Sequence, residues 1–196
     1  TPMSDVMTLL LTFFMLTSTF VKNEPVKVNT PGSVSETKVP ENGVLTILVS
    51  PEKGPTGKPT GEGQVFLSYD NTNELGQIVD NMGVTLTPAQ KKTFVAESTF
   101  GTPLDKLAAY LSKPAAERGK ELPKMGIPLD SIQGQEMTEF QQWVNAARQV
   151  NPKVRLAIKS DSDSPYGTVK KVMSELQDMS ENRYYLITQY KKTEDK

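Results

Sequence analysis

The sequence predicts an α+β protein: one N-terminal membrane-grade helix, then a small mixed β-sheet domain carrying a helical insertion. Three observations predict it. Val6 to Val21 (VMTLLLTFFMLTSTFV) contains no charged residue, a composition suited to lipid rather than water. Val44 to Val49 (VLTILV) and Gln64 to Tyr69 (QVFLSY) are short β-branched and aromatic runs of strand length. The C-terminal part reads strand, helix, strand, through Val154 to Ile158, an apolar repeat from Val169 to Met179, and Tyr184 to Thr188.

The first element, residues 1–21, is expected to be a transmembrane helix that arrives incomplete. Its uncharged stretch makes a helix of about 24 Å, short of a ~30 Å hydrocarbon core. The chain opens on Thr1 without an initiator Met, so further residues are expected upstream, and they would set Asp5 inside the span. A cleaved signal peptide would need a basic leading region and a small-residue cleavage site, and neither is visible. The residues leave two readings of Asp5. It is either a cap at the interface, where a carboxylate meets the helix dipole favourably, or an intramembrane acid. The latter costs roughly 2.5–3.5 kcal/mol at mid-helix and marks an ion or proton path. Asp5, Thr8 and Thr12 fall at i, i+3 and i+7 on one side of the helix, with Thr19 a heptad further. Threonine hydroxyls on that stripe either bond backbone carbonyls as packing glue or line a relay as pore residues. Periodicity is compatible with both.

Thr1-Pro2-Met3-Ser4-Asp5-Val6-Met7, followed by the Leu/Phe/Met run, resembles the single transmembrane helix of the ExbD/TolR family. The resemblance implies that Asp5 is the proton-carrying carboxylate of the T-P-x-x-D-V-M pattern. Thr8 departs from the family, which has an apolar residue there, and is closer to the flagellar-stator relatives.

Residues 22–43 hold Pro25, Pro31, Pro40 and Gly32 among polar and charged residues, without apolar periodicity. They are expected to form an extended linker, spanning tens of ångströms at roughly 3.1 Å per residue. Val26 to Ser33 (VKVNTPGS) is similar to the family's post-membrane motif, with Thr30 where Leu is usual. Alternating Val26 and Val28, ahead of Pro31, either add as a strand to a partner or belong to a solvated tether.

Residues 44–190 are expected to form the α+β domain. Its first two strands should pair antiparallel around a flexible loop, Ser50 to Gly63, whose scattered glycines lack the Lys-Ser/Thr of a phosphate loop. Residues 71–151 are expected to be a helical insertion. Thr72 is expected to cap a helix that Gly83 stops, and Thr87-Pro88 and Thr102-Pro103 each offer a cap followed by proline. Leu104, Leu107, Ala108 and Leu111 keep helical spacing, while Lys113 to Pro128 reads as a broken connection. Met137, Phe140, Trp143, Val144 and Ala147 mark another amphipathic helix, ended at Asn151-Pro152. The single Trp143 lies on that apolar stripe and is assigned to the core. The closing strand-helix-strand unit should be parallel and share a sheet with the hairpin, and residues 191–196 should be a disordered tail. This order also resembles the soluble domain of the ExbD/TolR family. Val154 to Asp161 (VRLAIKSD), Tyr166 and the following helix match its strand-Asp-helix signature. That family needs only a short helical crossover where this chain has residues 71–151.

Composition closes most catalytic routes. With no His and no Cys, the chain has no thiol nucleophile, no Ser-His-Asp triad, no disulfide and no ordinary zinc site. Its 22 basic and 23 acidic residues leave a net charge near zero, which argues against nucleic acid as a partner. Asp161 and Asp163 lack the Glu and the further oxygens of a calcium loop, so they are expected to cap the next helix. Glu136 and Glu139 have no His at helical spacing for a di-metal site. No enzyme, cofactor or metal is expected.

The resemblance therefore implies an ion-conducting subunit, coupled to the proton-motive force, of an ExbB/ExbD-type inner-membrane motor. Such a motor energises outer-membrane transport or envelope maintenance. It implies a single-pass protein of the bacterial inner membrane, with a cytoplasmic N-terminus and a periplasmic C-terminal domain. The implied partners are membrane lipid, an ExbB/TolQ-like multi-spanning oligomer, a second copy of this chain, and a TonB/TolA-like periplasm-spanning protein. Two alternatives stand beside it. One is a passive membrane-tethered periplasmic binding module; the other is a motility-type stator, although no peptidoglycan-binding domain is recognisable.

Overall fold

Residues 2–17, 26, 28, 32–33, 42–54, 56–131, 134–187 and 189–190 are described by a computed structural model. A β-hairpin forms its centre. Strand β2 (Val44–Lys53) pairs antiparallel with β3 (Pro59–Tyr69), Leu45 opposite Tyr69 and Ile47 opposite Leu67. The expected loop over Ser50 to Gly63 is mostly strand, since β2 runs on to Lys53 and β3 begins at Pro59. The ladder explains why prolines and glycines fit there. The Tyr69 N–H donates away from β2, to Ser98 O at 2.9 Å, so odd-numbered residues of β3 turn their backbone groups outward. Pro51 opposes Gly63 at such a position, so its missing N–H removes no hairpin bond.

Five strands build one sheet in the order β4-β3-β2-β5-β6. Strand β4 (Thr99–Phe100) pairs antiparallel with β3. Strands β5 (Arg155–Ser160) and β6 (Tyr184–Ile187) run parallel to β2 and to one another. Helix α7 (Tyr166–Asp178) connects the last two strands, so the expected parallel β-α-β unit joins the hairpin's sheet. Outside this sheet, β1 (Gly32–Ser33) pairs in parallel with β7 (Gln189–Tyr190).

Between β3 and β5 stand α2 (Thr72–Asn81), α3 (Pro88–Glu97), α4 (Leu104–Leu111), α5 (Ala115–Glu121) and α6 (Glu139–Val150). Several local expectations are corrected. Asn71, not Thr72, caps α2, its side chain accepting from the N–H groups of Asn73 and Glu74. Gly83 does follow that helix, at φ +69, a conformation that favours glycine. Thr87 caps α3 as expected, in a reciprocal capping box with Gln90. Thr102 does not cap α4. Pro103 occupies the cap position and offers no side-chain acceptor, while Glu139 Oε2 reaches across from α6 to accept the Leu104 N–H at 3.1 Å. The connection after Lys113 contains α5 and a 3-10 turn, Leu122–Lys124, because Pro114 starts a helix rather than breaking one.

Trp143 is 1% exposed, in agreement with its assignment to the core. Its ring forms a mutual cluster with Phe94 and Phe100, with centroids 5.8 and 4.6 Å away and the two phenyl rings 5.0 Å apart. Burying three aromatics from α3, β4 and α6 together contributes several kcal/mol of transfer free energy, at roughly 25 cal/mol per Å². Residues of the hairpin, the helical segment and the β-α-β unit belong to one core cluster, so the segment between β3 and β5 does not pack as a separate body.

Candidate functional site

Helix α1 spans Pro2–Thr17, and every residue of it from 2 to 16 is exposed. Ten large apolar side chains stand in the open along it, from Met3 to Leu16. An apolar surface of that size on a polypeptide marks contact with a partner or with lipid. Sixteen residues rise about 24 Å. Among the described residues no helix is long and apolar enough to cross a membrane, and Thr19 and the rest of 18–21 lie outside them.

Asp5 sits in the first turn of α1. One turn on, the Thr8 hydroxyl donates to Ser4 O at 2.8 Å, and the Thr12 hydroxyl donates to Thr8 O at 2.7 Å. Both protons are therefore held by the backbone, while the hydroxyl oxygens keep lone pairs for an incoming donor. In the following segment Val26 and Val28 are 4% and 7% exposed and join the core cluster. Two β-branched apolar side chains are better buried than solvated, so these two residues depart from the solvated tether. Pro31 lies outside the described residues.

The acidic loop after β5 is structural. Asp161 Oδ1 accepts the Asp163 N–H at 3.0 Å, and the Asp161 N–H donates to Val49 O at 2.9 Å. Asp161 thus closes a turn on the end of β2, and no side chain caps α7, contrary to the expected capping role. Among the described residues no group of acidic side chains is placed to hold a metal.

Three buried acids depart from their ordinary titration. Burial raises the Glu139 carboxyl, opposed by its hydrogen bond from Leu104 and reinforced by Asp105. Burial and the hydrogen bond to Glu74 push the Tyr69 phenol up to about 12. Burial, with the Glu97 charge and hydrogen bond, pushes Tyr110 up further. Each lies among the helices between β3 and β5 or at their junction with the sheet, and each holds elements together.

One large groove, about 880 Å³, opens where α7, the hairpin and the segment between β3 and β5 meet. Gly63 of β3, Lys106 of α4, Lys124 of the 3-10 turn and Thr168 of α7 all line it. No periodic pattern in the sequence signals this groove, because its walls come from five separated stretches. The one local hint is Gly63, where a Cβ would stand 2.5 Å from the Thr168 hydroxyl.

The family model for the biopolymer transport protein ExbD/TolR matches residues 1–191. The chain belongs to the ExbD/TolR family. No curated protein and no solved structure matches it. ExbD/TolR proteins are inner-membrane components of biopolymer transport, and the match takes in α1 as well as the whole α+β sheet. The bounds of the ExbD/TolR match enclose residues 71–151.

Proposed function

We propose that this chain is the ion-conducting, single-span subunit of an inner-membrane motor coupled to the proton-motive force, with Asp5 as its proton-carrying group, and that it is not an enzyme. The observation that carries this reading is the position of Asp5. It is the one acidic residue of a fully exposed apolar helix in a chain of the ExbD/TolR family. A carboxylate on such a helix is costly in lipid, and it becomes tolerable inside a ring of partner helices that supply water or a counter-charge. Taking up a proton removes that cost, so the helix prefers one partner surface when neutral and another when charged. Thr8 and Thr12, on the same side, offer hydroxyl oxygens that accept a proton donor or an ordered water.

In this reading residues 1–21 cross the inner membrane, 22–43 link the span to the periplasm, and 44–190 form the periplasmic domain. The partners are an ExbB/TolQ-like oligomer around α1, a second copy of this chain, and a TonB/TolA-like protein that receives the force. The decisive variant is Asp5→Asn, which keeps shape and hydrogen bonding but cannot titrate. It is expected to assemble with its membrane partner and to lose transduction entirely. A fully active Asp5→Asn protein would refute the assignment.

A further inference from the structure

We propose that Arg155 and Arg183 bind the phosphate of anionic phospholipid headgroups and so hold the α+β domain against the bilayer that α1 enters. The inference rests on the membrane reading of α1, though not on Asp5. Two of the chain's four arginines are already engaged. Arg118 pairs with Glu97, and Arg148 binds Glu181 through two nitrogens, each at 2.6 Å. Arg155 and Arg183 are exposed and form neither an ion pair nor a side-chain hydrogen bond among the described residues. The ladder sets them together. Leu156 of β5 stands opposite Tyr184 of β6 in a parallel register, so Arg155 and Arg183, one residue earlier, lie side by side on one face. Both line a cavity of about 500 Å³ with the half-buried Tyr184 and Tyr185. Exposed Lys153, also without an ion pair among the described residues, lies two residues before Arg155. Like charges on neighbouring strands repel, and the nearby acid Glu181 is taken by Arg148. An oxyanion that accepts from both guanidinia removes that cost.

Two observations point to a lipid phosphate. The first is tether length. Val26 is buried in the domain core, and in the membrane reading the span ends at Val21. Five residues, about 18 Å at full extension, then separate the domain from the bilayer surface. The Gly43 carbonyl accepts the Arg155 N–H at 3.0 Å, so the patch stands where residues 22–43 join the sheet. The second is composition, since tyrosines beside free cations suit the headgroup layer of an anionic membrane.

The test uses the full chain in nanodiscs of phosphatidylcholine, with or without one third phosphatidylglycerol, and follows modification of each arginine by phenylglyoxal. Arg155 and Arg183 are expected to react about fivefold more slowly, or slower still, in the anionic discs, with Arg118 and Arg148 alike in both. Energy transfer from the single Trp143 to a headgroup-labelled lipid should rise in the anionic discs. It should fall back in the Arg155→Gln, Arg183→Gln double variant and persist when Lys106 and Lys124 are changed to Gln instead. Equal arginine reactivity in the two discs would overturn the proposal. So would equal protection by inorganic phosphate in phosphatidylcholine discs, the mark of a free-ion site, or protection there that grows with protein concentration, the mark of a second copy. A chain that enters neither disc would refute the membrane reading itself, and the patch with it.

Discussion

Glu139 shows how a single buried carboxylate can serve two helices. It opens α6 and, 35 residues from its target in sequence, accepts the Leu104 N–H that α4 leaves unbonded. Because burial raises its pKa, the folded state favours its neutral form relative to the unfolded chain. The stability from that preference is present below the ordinary carboxylate pKa and is lost as pH rises through the raised folded value. Glu139→Gln keeps an acceptor without a charge, so its stability relative to wild type should increase from acid to neutral pH in denaturant titrations. Glu139→Ala should instead cost about 1–2 kcal/mol at neutral pH by stranding the Leu104 donor. Tyr69 follows the same sign at the alkaline end. With its phenol raised from 10.0 to about 12, the stability it contributes holds below pH 10 and falls between pH 10 and 12, as thermal melts across that interval should reveal. Tyr69→Phe should flatten the decline. None of these shifts was legible in the sequence, because each arises from burial among residues distant along the chain. Trp143 was legible, since its neighbours on one helix stripe already declared which way it faced.

At the scale of elements, the helices between β3 and β5 are tied by a few polar contacts as well as by packing. Arg118 of α5 donates to Glu97 of α3 at 2.6 Å and to the Lys113 carbonyl, while Tyr110 of α4 donates to the same Glu97 at 3.2 Å. The Arg118 and Glu97 side chains are 12% and 23% exposed, so removing the cation leaves a carboxylate largely shielded from water. Arg118→Ala should therefore destabilise by roughly 1–3 kcal/mol, measured as a lower urea midpoint with unchanged slope. Close packing sets a second constraint. A Cβ on Gly101 would overlap the Phe66 ring, and Gly101→Ala should cost about 1–3 kcal/mol by displacing that ring from the core. Four of the strands and most helices were legible because their apolar periods are local, whereas the two-residue strands β1, β4 and β7 are too short to show a period. The extent of the hairpin loop was not legible because glycine and proline lower strand propensity, whereas the ladder here gives Pro51 and Gly63 positions that need no bond across the hairpin. Nor was the α4 cap, because the true acceptor lies on another helix.

At the scale of the molecule, α1 and the α+β sheet are physically separate problems. Residues 2–16 are exposed throughout, so removing residues 1–17 should leave the thermal unfolding of the sheet domain unchanged within about 1 °C, while membrane association is lost. A fall of several degrees would mean that α1 packs on the domain. Sequence alone determined the chemical inventory: one acid on an apolar helix, no histidine or cysteine, and strand and helix periods that name the α+β class. Those properties are legible because hydrophobic period and the cost of a charge in lipid depend on near neighbours and on solvent. Tertiary structure alone decided that Glu139 caps α4, that Val26 and Val28 are buried, and that Gly63, Lys106, Lys124 and Thr168 meet at one groove. These depend on which distant segments share a sheet and a core, and long-range pairing leaves no periodic trace along the chain.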